Sequence, residues 1–399
     1  MNFRKVNNLL GWITFAIAAI VYLMTMEPTS SLWDCGEFIS CAYKVEVGHS
    51  PGAPLFMLIQ RLFALFAGGN VQNVAMMINA WSAIASALTI LFLFWTITHF
   101  ARKLLVGRSE DLNNNQLMLV MGSGVVGALA YTFSDTFWFS AVEGEVYATS
   151  SFFTALVFWA ILKWEHVADN RYADRWLVLI AYLVGLSVGI HLLNLLAIPA
   201  LTMVYYFRRY EPTTMGAVTA FVIGCVILGL VQFGVLQGIP ILASKFELMF
   251  VNGFGLPFDS GAITFLVVLT GAMVWALRYA KRKGKYALHT GILCFVFIVI
   301  GFSSYLSAII RSRADVPIDM TNPDDVISLT SYIQREQFLQ QPLLFGPDFI
   351  SRPIGVEEKG EKYTRSTKDF SLAYGVEKAA MRSSIETTWT FPRESRLPL

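Results

Sequence analysis

The sequence predicts an all-α polytopic membrane protein, a bundle of about nine transmembrane helices with helical outer loops. The composition is the first observation behind this prediction: hydrophobic residues make up 55% of the 399 residues, charged residues make up 15%, and the mean hydropathy is +0.55. These values lie outside the range of soluble domains. The second observation is that apolar runs of membrane length recur along the chain. The net charge of +2 says little, because the positions of the charges matter more, and we expect no nucleic-acid partner.

The apolar runs define the predicted spans. They lie at 9–26, 74–100, 117–133, 149–164, 176–207, 215–236, 263–279 and 287–310. The run 176–207 is too long for one span and contains the polar residues HLLN at 191–194, so we predict two spans joined by a tight turn. The first run is too long for the apolar core of a cleavable signal peptide.

The distribution of basic residues predicts the orientation. With a cytoplasmic N-terminus, fifteen Lys and Arg fall in predicted inner segments before residue 311, and only Lys44, Arg61 and Lys245 fall in outer loops. This asymmetry follows the positive-inside rule. We therefore expect the first outer loop, 27–73, and the tail, 311–399, to face outward. The predicted domains are a transmembrane domain at 1–310 and an extracytoplasmic tail that resembles an incomplete outer region.

The first outer loop carries the most informative polar stretch, which reads WDCGEFISCAYKVEVGHSPGAPLF at 33–56. Ser31 and Asp34 predict a helix start of the capping-box kind. The helix would place Asp34, Glu37 and Cys41 on one face, and GHSPGAP would end it. Two carboxylates and His49 are thereby predicted near the mouth of the bundle. The alternative is a capped helix with a solvated acidic face. The following segment, 51–67, is predicted as an amphipathic helix on the membrane surface.

The second outer loop, 134–150, contains acids but no Lys or Arg. Asp135, Glu143 and Glu145, with Tyr147 nearby, predict an acidic cavity where the outer loops converge. The alternative is a set of ordinary solvated acids below an aromatic belt. We favour a functional role for Glu143 and Glu145, because they border the hydrocarbon region.

Four further polar residues are predicted to bind a donor phosphate. Arg311 and Arg313 follow the last span, and their planar guanidinium groups suit phosphate. They could instead extend to the interface as ordinary flanking residues. His191 and Asn194 interrupt an apolar run at its predicted outer end, where a packing role is the alternative.

Several apparent motifs carry no function. GSGVVG at 122–127 matches the dinucleotide fingerprint by letter, but it lies inside a membrane run without a preceding strand. The sequence contains no Walker lysine motif, HExxH or GxSxG. The four cysteines lack the spacing of a zinc site, and a bridge between Cys35 and Cys41 is disfavoured, because they would point apart on a helix. No metal site is predicted, and a divalent metal requirement is left open.

A resemblance to a known family rests on several unusual polar segments that occur in the same order. They read WDCGEF, YKVEVGHSPGAPLF, YTFSDTFWFSAVEGEVYA, GLSVGIHLLNLLAIPA and PIDMTNPDD followed by REQF. They resemble a bacterial membrane family long described as a domain of unknown function, which is similar to the eukaryotic transmembrane protein O-mannosyltransferase. The resemblance ends near residue 345, so we expect the chain to be a fragment.

The resemblance implies that the helices form a GT-C-like bundle and that the protein is a GT-C glycosyltransferase in the bacterial inner membrane. Such an enzyme would move a sugar, most plausibly mannose, from a polyprenyl-phosphate donor to Ser or Thr of an exported protein on the outer face. It implies Asp34 as the catalytic base, with Glu37 and His49 beside it. Its partners would be membrane lipid, the lipid-linked donor and the exported acceptor. The alternatives are a transporter or flippase of a lipid-linked substrate and a non-catalytic membrane subunit.

Overall fold

The protein is described by a computed structural model that covers residues 2–107 and 112–338 and six short strands between 345 and 398. Arg108, one of the fifteen basic residues predicted to lie on the inner side, and 36 of the 89 residues of the predicted tail lie outside the described residues. The α-helices are α1 (Phe3–Thr25), α2 (Cys35–Lys44), α3 (Pro54–Ala64), α4 (Val74–Val106), α5 (Asn114–Thr132), α6 (Asp135–Ala141), α7 (Val146–Val167), α8 (Asp174–Val188), α9 (Ala197–Arg209), α10 (Thr214–Gly229), α11 (Gly238–Leu248), α12 (Ser260–Arg282), α13 (Tyr286–Phe302), α14 (Leu306–Ser312) and α15 (Val326–Ile333).

The helices confirm an all-helical polytopic membrane protein, although the count of nine spans is not confirmed. Among the described residues, six helical stretches are long and apolar enough to cross a membrane. A seventh results if α5 and α6, which meet at an angle of 68°, form one bent span. The predicted pair of spans at 176–207 corresponds to α8 and α9, which have 15 and 13 residues. Both are shorter than the roughly 20 residues that a straight span needs.

The first compact unit comprises Met1–Leu236 and Met273–Met320. One buried cluster joins α1, α4, α5 and α6, and a second joins α2, α3, α4 and α7. Helices α8 and α13 approach closely at two glycines. A Cβ on Gly185 would lie 2.3 Å from the carbonyl oxygen of Ile298, and a Cβ on Gly301 would lie 2.4 Å from the amide nitrogen of Leu186. Small residues allow this backbone contact between membrane helices.

The second compact unit comprises Gln237–Ala272 and Thr321–Leu399. The hydroxyl of Ser244 on α11 lies 2.8 Å from that of Thr330 on α15. The strands β1 (Phe345–Pro347), β2 (Gly355–Glu361), β3 (Tyr363–Arg365), β4 (Phe370–Leu372), β5 (Ile385–Thr390) and β6 (Arg396–Pro398) form antiparallel pairs β1–β6, β2–β5 and β3–β4. The all-helical class thus describes the membrane region. The predicted division at residue 310 stays a prediction.

Candidate active site

Helix α2 carries the first two acids of the site. It begins at Cys35, and Asp34 is the preceding N-cap residue, with no bond from its side chain to the helix. The predicted capping box from Ser31 is therefore not formed. Asp34 has φ −83° and ψ −3°, which is helical, whereas a capping side chain needs extended backbone to reach the first N–H groups. The Asp34 side chain consequently stays 57% exposed.

The end of α2 is fixed by a distant arginine. Val45 adopts the left-handed conformation, with φ 55°. The guanidinium of Arg311 donates from Nε to the carbonyl of Val45 at 2.6 Å and from Nη2 to that of Lys44 at 3.1 Å. Arg61 on α3 donates to the carbonyl of Tyr43. Two cations therefore stabilise the terminal carbonyl groups of this helix.

After α2 the chain turns back so that His49 meets the acids. Val47 donates to the carbonyl of Ile318 at 2.9 Å and accepts from the N–H of Met320 at 3.0 Å. The N–H groups of Leu55 and Phe56, at the start of α3, donate to the carbonyl of Gly189 at 2.9 and 3.3 Å. The loop between α2 and α3 is thus attached at both ends to distant parts of the first unit.

Glu37, His49 and Asp34 form a compact cluster. The backbone N–H of His49 donates to Oε1 of Glu37 at 2.5 Å, and the ring Nδ1 lies 3.1 Å from each Glu37 oxygen. Because a carboxylate can only accept, Nδ1 carries the proton in this contact. Nε2 then faces Oδ2 of Asp34 at 4.0 Å. Glu37 thereby holds the imidazole next to the more exposed carboxylate.

The pKa of Glu37 agrees with its role as the carboxylate that holds the imidazole of His49. Burial opposes ionisation of Glu37, but the hydrogen bonds from the ring and backbone of His49, together with its charge, lower the pKa of Glu37 below its ordinary value. Gly48 leaves room for this contact, because a Cβ there would lie 2.7 Å from Oε1 of Glu37. Glu37 is thus an ionised anchor for His49.

The second loop places Glu143 and Glu145 beside this cluster, and both are buried. Sγ of Cys35 lies 3.6 Å from Oε2 of Glu143. Burial raises the pKa of Glu143, although hydrogen bonds from Ser31 and Cys35 oppose the shift. Burial also raises the pKa of Glu145 to about 7, against its bond from the Val146 N–H and with help from the charges of Asp34 and Glu143. The acids of the first and second loops therefore form one cluster.

The cysteines of α2 are structural. Cys35 and Cys41 are both buried and free, as their predicted orientations require. Burial and the neighbouring carboxylates raise the pKa of each thiol to about 12. Thiols of this kind are unreactive.

The polar residues between α8 and α9 meet the start of α7. The rings of Tyr147 and His191 lie 5.3 Å apart, and Nδ1 of His191 accepts from the N–H of Leu193 at 3.2 Å. Oδ1 of Asn194 accepts from the hydroxyl groups of Ser150 and Thr154, whereas its Nδ2 is buried without a partner among the described residues. Their predicted role in donor binding stays a prediction.

The two arginines predicted to bind phosphate differ in their surroundings. The bonds of Arg311 go to the backbone of α2, so its guanidinium supports the site loop. Arg313 follows α14 and is exposed. Their phosphate role is likewise untested.

Asp34, Glu37 and His49 can each offer one ligand atom to a cation. These atoms lie within 4.8 Å of one another. Carboxylate oxygens and an imidazole nitrogen are ordinary ligands for divalent metals. A metal requirement is neither predicted nor excluded by this arrangement.

Asn79 supports the site but was not predicted from the sequence. It is fully buried, and its Nδ2 donates to the carbonyls of Glu27 and Thr29 at 2.7 and 2.9 Å. A Cβ on Gly144 would lie 2.9 Å from its Oδ1. Asn79 thereby joins the chain before α2 to the second loop. The sequence did contain a signal for this role, because Asn79 is a polar amide inside the apolar run 74–100.

Fold and site together define a polytopic helical membrane protein with a carboxylate–histidine cluster on its loops. The family model described as the protein O-mannosyl-transferase TMEM260 N-terminal domain matches residues 34–214. The chain is 27% identical to protein O-mannosyl-transferase tmem260 of Dictyostelium discoideum over 187 residues, and 25% identical to protein O-mannosyl-transferase TMEM260 of Mus musculus over 176 residues. No solved structure matches the chain.

These similarities cover the site but only part of each protein. They include 46% and 44% of this chain and only 21% and 22% of the two relatives. The chain therefore spans about one fifth of the length of the curated relatives it matches. The family match begins at Asp34 and contains every predicted site residue except Arg311 and Arg313. The resemblance to the eukaryotic protein O-mannosyltransferase is confirmed.

Proposed function

We propose that this chain is the membrane portion of a glycosyltransferase that transfers mannose from a polyprenyl-phosphate donor to Ser or Thr hydroxyls of exported proteins. The observation that carries the proposal is the Asp34–His49–Glu37 cluster, which lies within the residues that resemble protein O-mannosyl-transferases. The positive-inside bias supports an outer-face location for this cluster.

Asp34 is the general base of the proposed reaction. A hydroxyl must lose its proton as it attacks the sugar carbon, and a carboxylate can accept that proton. Asp34 is over half exposed and makes no capping bond, whereas both oxygens of Glu37 contact His49. Asp34 can therefore approach an acceptor, while Glu37 and His49 keep the loop in place.

The phosphate leaves from the opposite face of the sugar carbon, so a single displacement inverts that carbon. A cation stabilises the charge that develops on the leaving phosphate. We assign this role to Arg313, which is exposed directly after α14. The donor already contains an activated bond, so the reaction needs no nucleotide.

The test compares wild type with Asp34→Asn in detergent, using radiolabelled polyprenyl-phosphate mannose and a Ser/Thr-rich peptide from an exported protein. We expect wild type to label the peptide and Asp34→Asn to be slower by about 100-fold or more, with unchanged donor binding. Glu211→Gln, an exposed carboxylate-to-amide change, is the control and should retain the wild-type rate.

Two results would contradict the proposal. Retention of the wild-type rate by Asp34→Asn would exclude Asp34 as the base. Donor bound by neither protein, with no labelled peptide, would favour a transporter of another substrate or a non-catalytic subunit.

A further inference from the structure

The loop that carries the candidate base also carries two consecutive apolar side chains that the protein leaves exposed. Leu32 is 77% exposed and Trp33 is 89% exposed. They directly precede Asp34, whose side chain is itself over half exposed. By contrast, Phe38 and Ile39 in the following helix α2 are buried. Leu32 and Trp33 therefore contribute little to the packing of the first unit, although they lie next to the candidate active site.

The backbone of Trp33 adopts a conformation that its side chain does not favour. Its φ is 62°, which lies in the left-handed region, where Gly and Asn are common and a bulky side chain is an outlier. Such conformations cost free energy and concentrate at functional sites. The exposed indole does not offset this cost by packing against the first unit. A contact with another molecule accounts for a large aromatic side chain at this position.

The chain is fixed on both sides of this pair. Before it, Nδ2 of the buried Asn79 donates to the carbonyl of Thr29 at 2.9 Å. After it, α2 begins at Cys35, which is fully buried. Leu32 and Trp33 therefore lie in a short connection between two fixed points, so their exposed side chains are presented at a defined place.

The pair lies near the end of the lipid-facing surface of α1. This helix is long and apolar enough to cross a membrane, and Met24 in its last turn is 80% exposed. Nε1 of Trp138 donates to Oγ1 of Thr25 at 3.0 Å, so a second tryptophan lies at this helix end. Trp33 follows Thr25 by eight residues. Tryptophan is enriched at this level, where the hydrocarbon region of a membrane meets water.

We propose that Leu32 and Trp33 insert into the interface of the membrane leaflet that borders the candidate active site. An indole suits this level, because its ring is apolar while its N–H can reach polar groups. The segment PTSSLW at 28–33 contains no charged residue that would oppose insertion.

Insertion would make Trp33 a positioning residue for Asp34. Neighbouring Cα atoms are about 3.8 Å apart, so an indole at the headgroup level holds the Asp34 carboxylate close to the lipid phosphates. This consequence rests on the proposed function, in which the phosphate of a lipid-linked donor leaves at that level. Insertion itself does not depend on glycosyl transfer.

The first test measures the depth of the loop by electron paramagnetic resonance of the full chain in vesicles of phosphatidylcholine and phosphatidylglycerol. A nitroxide is attached at Leu32→Cys, with the four native cysteines replaced by alanine and Trp33 retained. We expect it to collide more with oxygen, which partitions into the bilayer, than with a water-soluble nickel chelate. A nitroxide at Lys44→Cys, an exposed position at the other end of α2, is the control and should show the opposite preference.

The second test removes the indole without straining the fold. Asn adopts the left-handed conformation more readily than Trp, so Trp33→Asn should melt in detergent at the wild-type temperature or above it. In vesicles, Trp33→Asn should move the nitroxide at position 32 into water, whereas Trp33→Tyr, which keeps an amphipathic ring, should leave it inserted. With a lipid-linked donor in vesicles, we expect Trp33→Asn to lower transfer about 10-fold or more, because Asp34 is misplaced.

Three outcomes would overturn the proposal. A nitroxide at position 32 that meets the nickel chelate as often as the one at position 44 would place the pair in water. A lower melting temperature of Trp33→Asn would show that the indole packs within the protein. Loss of transfer by Trp33→Asn at unchanged depth would show that Trp33 contacts the donor or the acceptor directly. Because the depth measurement needs no turnover, an inserted nitroxide in a protein that transfers no sugar would support insertion and contradict only the proposed function.

Discussion

Glu145 illustrates how a single buried acid couples the site to pH. It is buried beside Asp34 and Glu143, and this environment raises its pKa to about 7 from 4.5. The folded protein therefore holds this proton more tightly than the unfolded chain. Between pH 4.5 and 7 the folded state binds more protons, so this residue lowers stability as pH rises and the full loss is reached above pH 7.

We predict that Glu145→Gln stabilises the protein above pH 7 by up to about 3 kcal/mol and has little effect near pH 4.5. The amide keeps an oxygen that can accept from the Val146 N–H. Thermal unfolding of both proteins in detergent from pH 4.5 to 8 measures the difference. The exposed Glu211→Gln should show no such trend, and a pH-independent difference for Glu145→Gln would contradict the explanation.

At this scale, sequence reasoning succeeded where partners are close along the chain. Asp34, Glu37 and His49 lie within one short loop, and their types and spacing suffice to group them. The contact between Cys35 and Glu143 joins residues 108 apart, and that between Arg311 and Val45 joins residues 266 apart. Contacts of this kind depend on helix packing that no local pattern encodes. For this reason the sequence predicted a phosphate-binding role for Arg311 but not its hydrogen bonds to the end of α2.

At the scale of elements, α2 and the following loop act as one unit that fixes the spacing of the acids. Gly48 is the position in this unit with the least space for a side chain. Oε1 of Glu37 would lie only 2.7 Å from a Cβ of residue 48. Any side chain there must displace either the carboxylate or the loop.

We predict that Gly48→Ala lowers glycosyl transfer by about 100-fold while the protein remains folded, because a shift of about 1 Å misaligns His49 and Asp34. Gly36→Ala is the matched control, since its Cβ would meet only the flexible hydroxyl of Ser30 at 3.2 Å. Transfer rates and melting temperatures of both variants provide the measurement. Full activity of Gly48→Ala would show that the close approach has no catalytic consequence.

The C-terminal end of α2 gives a second prediction at this scale. Arg311→Ala removes two charge-assisted hydrogen bonds from terminal carbonyls, so we expect it to destabilise the protein by about 2 kcal/mol. Arg313→Ala should destabilise it by less than about 1 kcal/mol, because the residue is exposed.

For donor binding we expect the larger effect from Arg313→Ala, whereas for stability we expect it from Arg311→Ala. We expect Arg313→Ala to raise the KM for the lipid-phosphate donor, because a phosphate contact is lost. Melting curves and donor titrations distinguish the two roles. Equal donor affinity in wild type and Arg313→Ala would exclude Arg313 as the phosphate ligand.

For the whole molecule, hydropathy predicted the helical membrane class but not the number of spans. The runs at 9–26 and 149–164 lie within α1 and α7, which are long enough to cross a bilayer. The run at 176–207 contains α8 and α9, each too short for a straight span. Hydropathy counts apolar residues and is insensitive to where a helix breaks. The polar residues at 191–194 did predict the break, but not that Gly189 beside it accepts hydrogen bonds from the start of α3.

The orientation of the whole bundle gives one final prediction. The active-site loop contains Lys44 and the opposite end contains Lys283, and both side chains are exposed. In a background whose four native cysteines are replaced by alanine, we expect a membrane-impermeant maleimide to label Lys44→Cys on intact cells. Lys283→Cys should react only after the membrane is permeabilised, because the positive-inside bias predicts that it lies on the cytoplasmic side. The reverse pattern would place the carboxylate–histidine cluster on the cytoplasmic face. Exported acceptors and an outer-leaflet donor could not then reach Asp34.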